Sequence, residues 1–185
     1  MTDRKTPEII VERINYERGR DIYDAIIESR EQLFIAGFIP NPDLSIDEWD
    51  GWMKQFDDLW ENDKEYHFQV IETTTNQFVG TVFLNHVERR YQMANLGYWV
   101  RISRVGEGIA TEAAKLAARY GFEKLGFQRL EIVVGKDNTP SLKIAEKMGA
   151  FREGLLRNRL NLHGSPCDAY MHSLIPADYG INKTA

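Results

Sequence analysis

Two glycines one residue apart, Gly106 and Gly108, stand where an apolar strand-like run ending at Val100 gives way to the helical spacing of Ile109, Ala113, Leu116 and Ala117. A strand that turns through glycine directly into a helix converges several backbone N–H groups on one point, where the helix dipole also favours an anion. Glycine serves such a turn because it adopts unusual backbone angles and places no Cβ in a ligand's path. Pyrophosphate recognition is the chemistry open to this loop, and an ordinary tight turn is the alternative. Two other phosphate loops do not fit. No Gly-Lys-Ser/Thr follows four spacer residues, and the third glycine of a dinucleotide fingerprint is missing.

A second pair of polar residues lies downstream. The Asn138 amide both donates and accepts hydrogen bonds, and Ser141 carries its hydroxyl one helical turn later. The same two residues would equally serve as a helix cap and a first-turn residue. Histidine is a residue type suited to proton transfer near neutrality, but His67, His86, His163 and His172 stand in no recognisable constellation, so they read as surface or packing residues. Cys167 is the only cysteine, which excludes an intrachain disulfide and a thiolate zinc cluster. No base partner marks it as a nucleophile, and no metal site is expected.

The elements that position these residues follow from periodicity. Residues 8–15 form a short β-branched strand, and Ile22, Ile26, Ile27 and Leu33 predict a helix over residues 18–32. After the turn Pro40-Asn41-Pro42-Asp43, Ser45 and Glu48 form a capping box ahead of a second helix. Its face of Trp49, Trp52, Phe56 and Trp60 reads as packing surface or the edge of a groove. Strands over 66–73, 78–88 and 93–100 make a meander, followed by a helix over 109–125 that ends at Gly126. A strand over 129–135, a helix over 139–148 and strands over 151–162 and 167–175 complete the order β, α, α, β, β, β, α, β, α, β, β. No linker or internal repeat interrupts it, so one domain over residues 8–179 is expected.

Bulk properties narrow the partners. A chain of 185 residues with 43% hydrophobic positions has material for one substantial core. A net charge of −5 argues against the many Lys and Arg contacts that nucleic acid requires. No run approaches the roughly 20 apolar residues that span a bilayer, and the opening Met1-Thr2-Asp3-Arg4-Lys5 has no signal-peptide core. A soluble, cytoplasmic protein is expected.

With these residues in order, a resemblance becomes specific. Gly97-Tyr98-Trp99, the loop Arg104-Val105-Gly106-Glu107-Gly108 and the following Ile109-Ala110-Thr111-Glu112-Ala113 resemble the acetyl-CoA loop of the GCN5-related N-acetyltransferase (GNAT) superfamily, in its RimJ/RimL branch. Asp137-Asn138-Thr139-Pro140-Ser141 is similar to its Asn-x-x-Ser segment, and Gly149 to Arg157 with Ser173 to Tyr179 is similar to its closing hairpin. The resemblance implies a single-domain α/β (α+β) fold whose twisted, mainly antiparallel mixed sheet splays near residues 99–102 to admit a pantetheine arm. It implies acetyl-CoA as cosubstrate, held by Trp99, Val100, Arg101, Arg104, Val105, Gly106, Glu107, Gly108, Ile109 and Ala110, with Asn138 on the pantetheine amides and Ser141 toward the thioester sulfur. Lys143 and Lys147 could join Arg104 at the phosphates. A backbone N–H near Val100 is the implied oxyanion donor. The family's tyrosine seven residues after the asparagine is Ala145 here, which leaves Ser141 as the catalytic substitute. The branch often carries a carboxylate two residues before Gly-Tyr-Trp, where this chain has Asn95, so the proton acceptor is open, with Glu88 a conceivable one. The implied acceptor is the α-amine of a protein N-terminus such as that of a ribosomal protein. A small amine (polyamine, amino acid or aminoglycoside) and a non-catalytic acyl-CoA-binding module are the alternatives, and a homodimer is a family-level expectation.

Overall fold

The computed structural model describes residues 6–181, so the opening five residues considered above lie outside the described part. In chain order the regular elements are β1 (Ile9–Arg13), α1 (Gly19–Glu28), α2 (Arg30–Ile35), α3 (Ile46–Glu61), β2 (Tyr66–Glu72), β3 (Gln77–Glu88), β4 (Met93–Val100), α4 (Ile109–Glu123), β5 (Arg129–Gly135), α5 (Thr139–Lys147), β6 (Phe151–Leu162) and β7 (Ser165–Leu174). Most boundaries fall within two residues of those read from the sequence. The capping box forms as expected, with the Ser45 and Glu48 side chains each accepting the other's backbone N–H.

One helix expectation changes. The single helix over residues 18–32 is two, α1 and α2, broken at Ser29 (φ −105°, ψ 8°). Ser29 is buried, and its Oγ accepts the Ile102 N–H at 3.0 Å. The break thus supplies a polar seat for the loop that follows β4.

The sheet has the order β1-β2-β3-β4-β5-β7-β6, antiparallel everywhere except between β4 and β5. That parallel pair has three rungs, the last being Asn95 opposite Glu131. Beyond it the strands part, because β4 continues with β3 out to Val100 while β5 follows β7 out to Gly135. Each strand keeps one ladder, so only the rungs between them are given up. The splay therefore opens at Leu96, further back along β4 than residues 99–102.

Strand alternation divides the core into two layers. Ala94, Leu96 and Tyr98 of β4 join Leu130 and Ile132 of β5 against α4 and α5. On the opposite face Trp99 packs with Ile22, Ile26, Trp49 and Phe78 beneath α1 and α3. Gly97 lies on this second face, where a Cβ would stand 2.2 Å from the Phe83 ring, so glycine is what leaves room for that ring against β4. No helix among the described residues is long and apolar enough to cross a membrane.

Candidate functional site

The loop between β4 and α4 takes the form its glycines permit. Gly106 (φ +88°) and Gly108 (φ +82°) both occupy the left-handed region, and Gly108 caps α4. The first intrahelical bond runs from the Glu112 N–H to the Gly108 carbonyl at 3.2 Å. The N–H groups of Ile109, Ala110 and Thr111 therefore point out of the helix start without an intrahelical acceptor. A 15-residue helix stands behind them, with its dipole aligned on the same point.

Two carboxylates that the sequence did not single out, Glu72 and Glu28, help to fix this loop. The Arg104 guanidinium, 17% exposed, binds Glu72 at 2.7 Å and Glu107 at 2.9 Å, and reaches Gln77 at 3.2 Å. Those hydrogen bonds, from Arg104 first and then Thr75, hold the Glu72 carboxyl below its usual range. The side chain of Arg104 is thus committed to carboxylates and shapes the loop, rather than presenting a free cation to phosphate. On the other side Glu28 binds Arg101 at 2.6 Å and accepts the Ser103 N–H at 3.1 Å. Burial pushes the Glu28 carboxyl up, but the bonds from Ser103 and Arg101 outweigh it and keep the group below its usual range. Together with Ser29, these contacts clamp residues 101–104 to the junction of α1 and α2.

Backbone direction within β4 gives the splay its chemistry. The Arg101 N–H bonds the Val79 carbonyl, so it points toward β3. Because N–H directions alternate along a strand, the Val100 and Tyr98 groups point the other way, into the gap left by β5. That gap is lined by unpaired ladder groups of the kind an amide-containing arm would complete. Across its mouth the Tyr98 hydroxyl donates to the Ser141 carbonyl at 3.2 Å, which draws the start of α5 against β4. Burial pushes the Tyr98 phenol far up, so it stays protonated at neutral pH. The Asn138 Oδ1 accepts the Ser141 N–H at 3.2 Å, so this oxygen serves as the α5 cap and leaves the Asn138 Nδ2 for other partners. Lys143 and Lys147 are exposed on α5.

The other face of β4 borders a partly open cavity of about 290 Å³ lined from α1, α2, α3 and strands β2 to β4. Trp49, Trp52, Phe56, Phe83 and Trp99 dominate its wall, with His67, Thr81 and Asn85 as polar members. His67 Nε2 meets Glu65 at 2.7 Å, and its ring stacks on Phe56 at 4.2 Å. Asn95, at the position where the resemblance implies a carboxylate, donates its amide to the Asn85 Oδ1 at 2.8 Å. A carboxylate is nonetheless close by: Glu131 faces Asn95 on the last rung before the strands part. By alternation with Leu130 and Ile132 it lies on the cavity side of the sheet. Its Oε1 accepts from Arg129 Nε at 2.9 Å, while the two terminal nitrogens of Arg129 go to Glu153 at 2.6 and 2.7 Å. Arg129 and then Ser173 hold the Glu153 carboxyl down to about 2, so Glu153 is the principal counterion.

The remaining candidates lie elsewhere. Glu88 bonds the Arg90 N–H at the β3–β4 turn, the closed end of the splay. His86 is exposed in the irregular stretch before that turn, and His163 stacks on Phe34 at 3.8 Å from the β6–β7 turn. His172 is fully buried, and burial holds its imidazole below the usual range. Cys167 is half-buried on β7. Among the described residues no group of three or more His, Cys, Asp or Glu is placed to hold a metal ion.

Residues 17–150 match the family described as the Acetyltransferase (GNAT) domain. An uncharacterized N-acetyltransferase of Bacillus licheniformis, p20, is 32% identical over 127 residues, which is 69% of this chain and 71% of that protein. The crystal structure of a ribosomal-protein-S5-alanine acetyltransferase from Vibrio fischeri superposes with a TM-score of 0.80 at 20% identity, covering 90% of this chain and 92% of the other. A spermidine N-acetyltransferase from Vibrio cholerae in complex with CoA and spermine gives a TM-score of 0.77 at 18% identity, covering 92% and 97%. At these identities the two structures are similar to this chain in fold.

Proposed function

Because the chain belongs to the GNAT acetyltransferase family and is an acetyl-CoA-dependent N-acetyltransferase, we propose that it acetylates the α-amine of a protein N-terminus by direct transfer in a ternary complex. The observation that carries this reading is the two-sided architecture around β4. A helix start with free N–H groups leads into the splay on one side, and a partly open cavity faces the same strand on the other. The α-amine is favoured over a polyamine because the cavity wall, among the described residues, contains no carboxylate to receive a second ammonium.

Acetyl-CoA supplies an acyl thioester. The turn at Gly106 and Gly108 with the N–H groups of Ile109 and Ala110 receives its pyrophosphate, and Asn138 Nδ2 donates to a pantetheine amide. Trp99, Val100 and Arg101 line the path to the splay. The Val100 N–H donates to the carbonyl oxygen as negative charge develops there. Glu131, acting through a water, takes the proton that the attacking amine loses. Ser141 stands at the α5 side of the splay, opposite the cavity, where its hydroxyl donates to the departing sulfur. Attack from one face and departure toward the other follow from the placement of the cavity and α5 on opposite sides of β4.

Ser141→Ala tests that role. Losing one hydrogen bond of about 0.5–1.5 kcal/mol in the transition state is expected to lower kcat up to about tenfold. Acetyl-CoA affinity should hold within about twofold, because the capping bond at this position uses the backbone N–H. An unchanged kcat would remove Ser141 from the reaction.

A further inference from the structure

The cavity carries more information than the presence of an amine site. Its volume of about 290 Å³ sits at the lower bound of small-ligand pockets, about 300–1,000 Å³, which is room for one residue-sized group. Its polar members are mostly occupied. Asn85 is bonded to Asn95, and His67 is turned toward Glu65. Thr81 and Trp99, paired across β3 and β4, mark the end nearest the splay. Trp49, Trp52 and Phe56 of α3 form the far wall.

An aromatic-lined cavity has two natural occupants, an apolar group or a cation held over ring faces. Ring orientation decides between them. Trp49 meets Trp52 at 71° and Phe56 at 63°, and Phe38 meets Phe83 at 81°. The His67 ring lies nearly parallel to both Phe56 and Phe83, at 23° and 24°. The His67 ring therefore already covers one electron-rich face each of Phe56 and Phe83 that a cation would need, and the edge-to-face contacts commit further ring surface of the wall to neighbouring rings. A second ammonium would lose its hydration with neither a carboxylate nor these faces to replace it.

We propose that the acceptor carries a large apolar or aromatic group beside its amine, and that Trp52, Phe56 and Phe83 select that group while Thr81 and Trp99 face the amine. The proposal rests on the reading of this cavity as the amine site. For a peptide acceptor, the first residue would be of the phenylalanine or leucine kind.

The test is a panel of peptides identical except for a first residue of Phe, Leu, Ala, Asp or Lys, together with linear diamines, compared by kcat/KM with acetyl-CoA. Phe and Leu are expected to exceed Ala by about tenfold or more, the scale on which pocket-filling methylenes discriminate. Asp, Lys and the diamines should fall lower still. Trp52→Ala is expected to remove the preference, and Trp52→Phe to keep it. Asn85→Asp is nearly isosteric and retains the Asn95 donor, so it decides the matter even where Trp52→Ala fails to fold: it should raise turnover of the Lys peptide and diamines relative to the Phe peptide. Equal rates across first residues, or a diamine as the best substrate, would overturn the proposal. Binding of acetyl-CoA with no turnover of any member would sink the transferase reading and this proposal with it.

Discussion

Replacing Gly106 with valine is expected to weaken acetyl-CoA binding by about a hundredfold or more while leaving the fold assembled. At φ +88° a β-branched residue is a conformational outlier, and forcing it there costs about 1–2 kcal/mol. The protein has space for the added atoms, because a Cβ at Gly106 meets nothing within 4 Å. The side chain would consequently project into the approach to the α4 start, or the turn would rearrange and redirect its N–H groups. Hydrogen bonds from such groups to a charged ligand contribute about 1.5–3 kcal/mol each, so losing two corresponds to two to four orders of magnitude. Gly108→Val adds a clash, since its Cβ would stand 2.6 Å from the Thr6 hydroxyl. Titration calorimetry with acetyl-CoA, alongside thermal melting, separates the effects. Affinity retained within about twofold in Gly106→Val would show that the pyrophosphate binds elsewhere.

Glu131→Gln is expected to lower kcat by about a hundredfold, the lower part of the range for a positioned general base, with acetyl-CoA affinity unchanged. Structural consequences should be small because Arg129 keeps both bonds to Glu153. The rung opposite supplies a rescue that a merely structural role would not produce. Asn95 occupies the same rung on the same face, so adding Asn95→Asp to Glu131→Gln returns a carboxylate to the vertex of the splay. Partial recovery of kcat in the double variant is the expected result. A single variant with full activity would assign proton removal to another group, with His67 in the cavity wall the next to examine.

What the sequence revealed and concealed follows from how local each cause is. The glycine turn and the Ser45–Glu48 capping box were legible because their geometry is set within a few residues. The break at Ser29 was not, because the hydroxyl that stabilises it there receives an N–H from Ile102, 73 positions away. Arg104 read as a phosphate-facing cation because its charge is visible and its partner Glu72, 32 positions upstream, is not. Glu131 shows in the sequence as an alternation with Leu130 and Ile132, yet only the parallel pairing brings it opposite Asn95. The aromatic face of α3 was legible as packing surface, and the chamber it makes with β2 to β4 required the sheet register.

Direct passage of an acetyl group from acetyl-CoA to an amine lodged against β4 underlies every role proposed above. Incubating the protein with isotopically labelled acetyl-CoA and a peptide beginning with phenylalanine, then locating the label by mass spectrometry, tests it most directly. Label is expected on the peptide α-amine, with CoA released in equal amount and both signals suppressed in Gly106→Val. CoA release no faster than in buffer, with an unlabelled peptide, would contradict it.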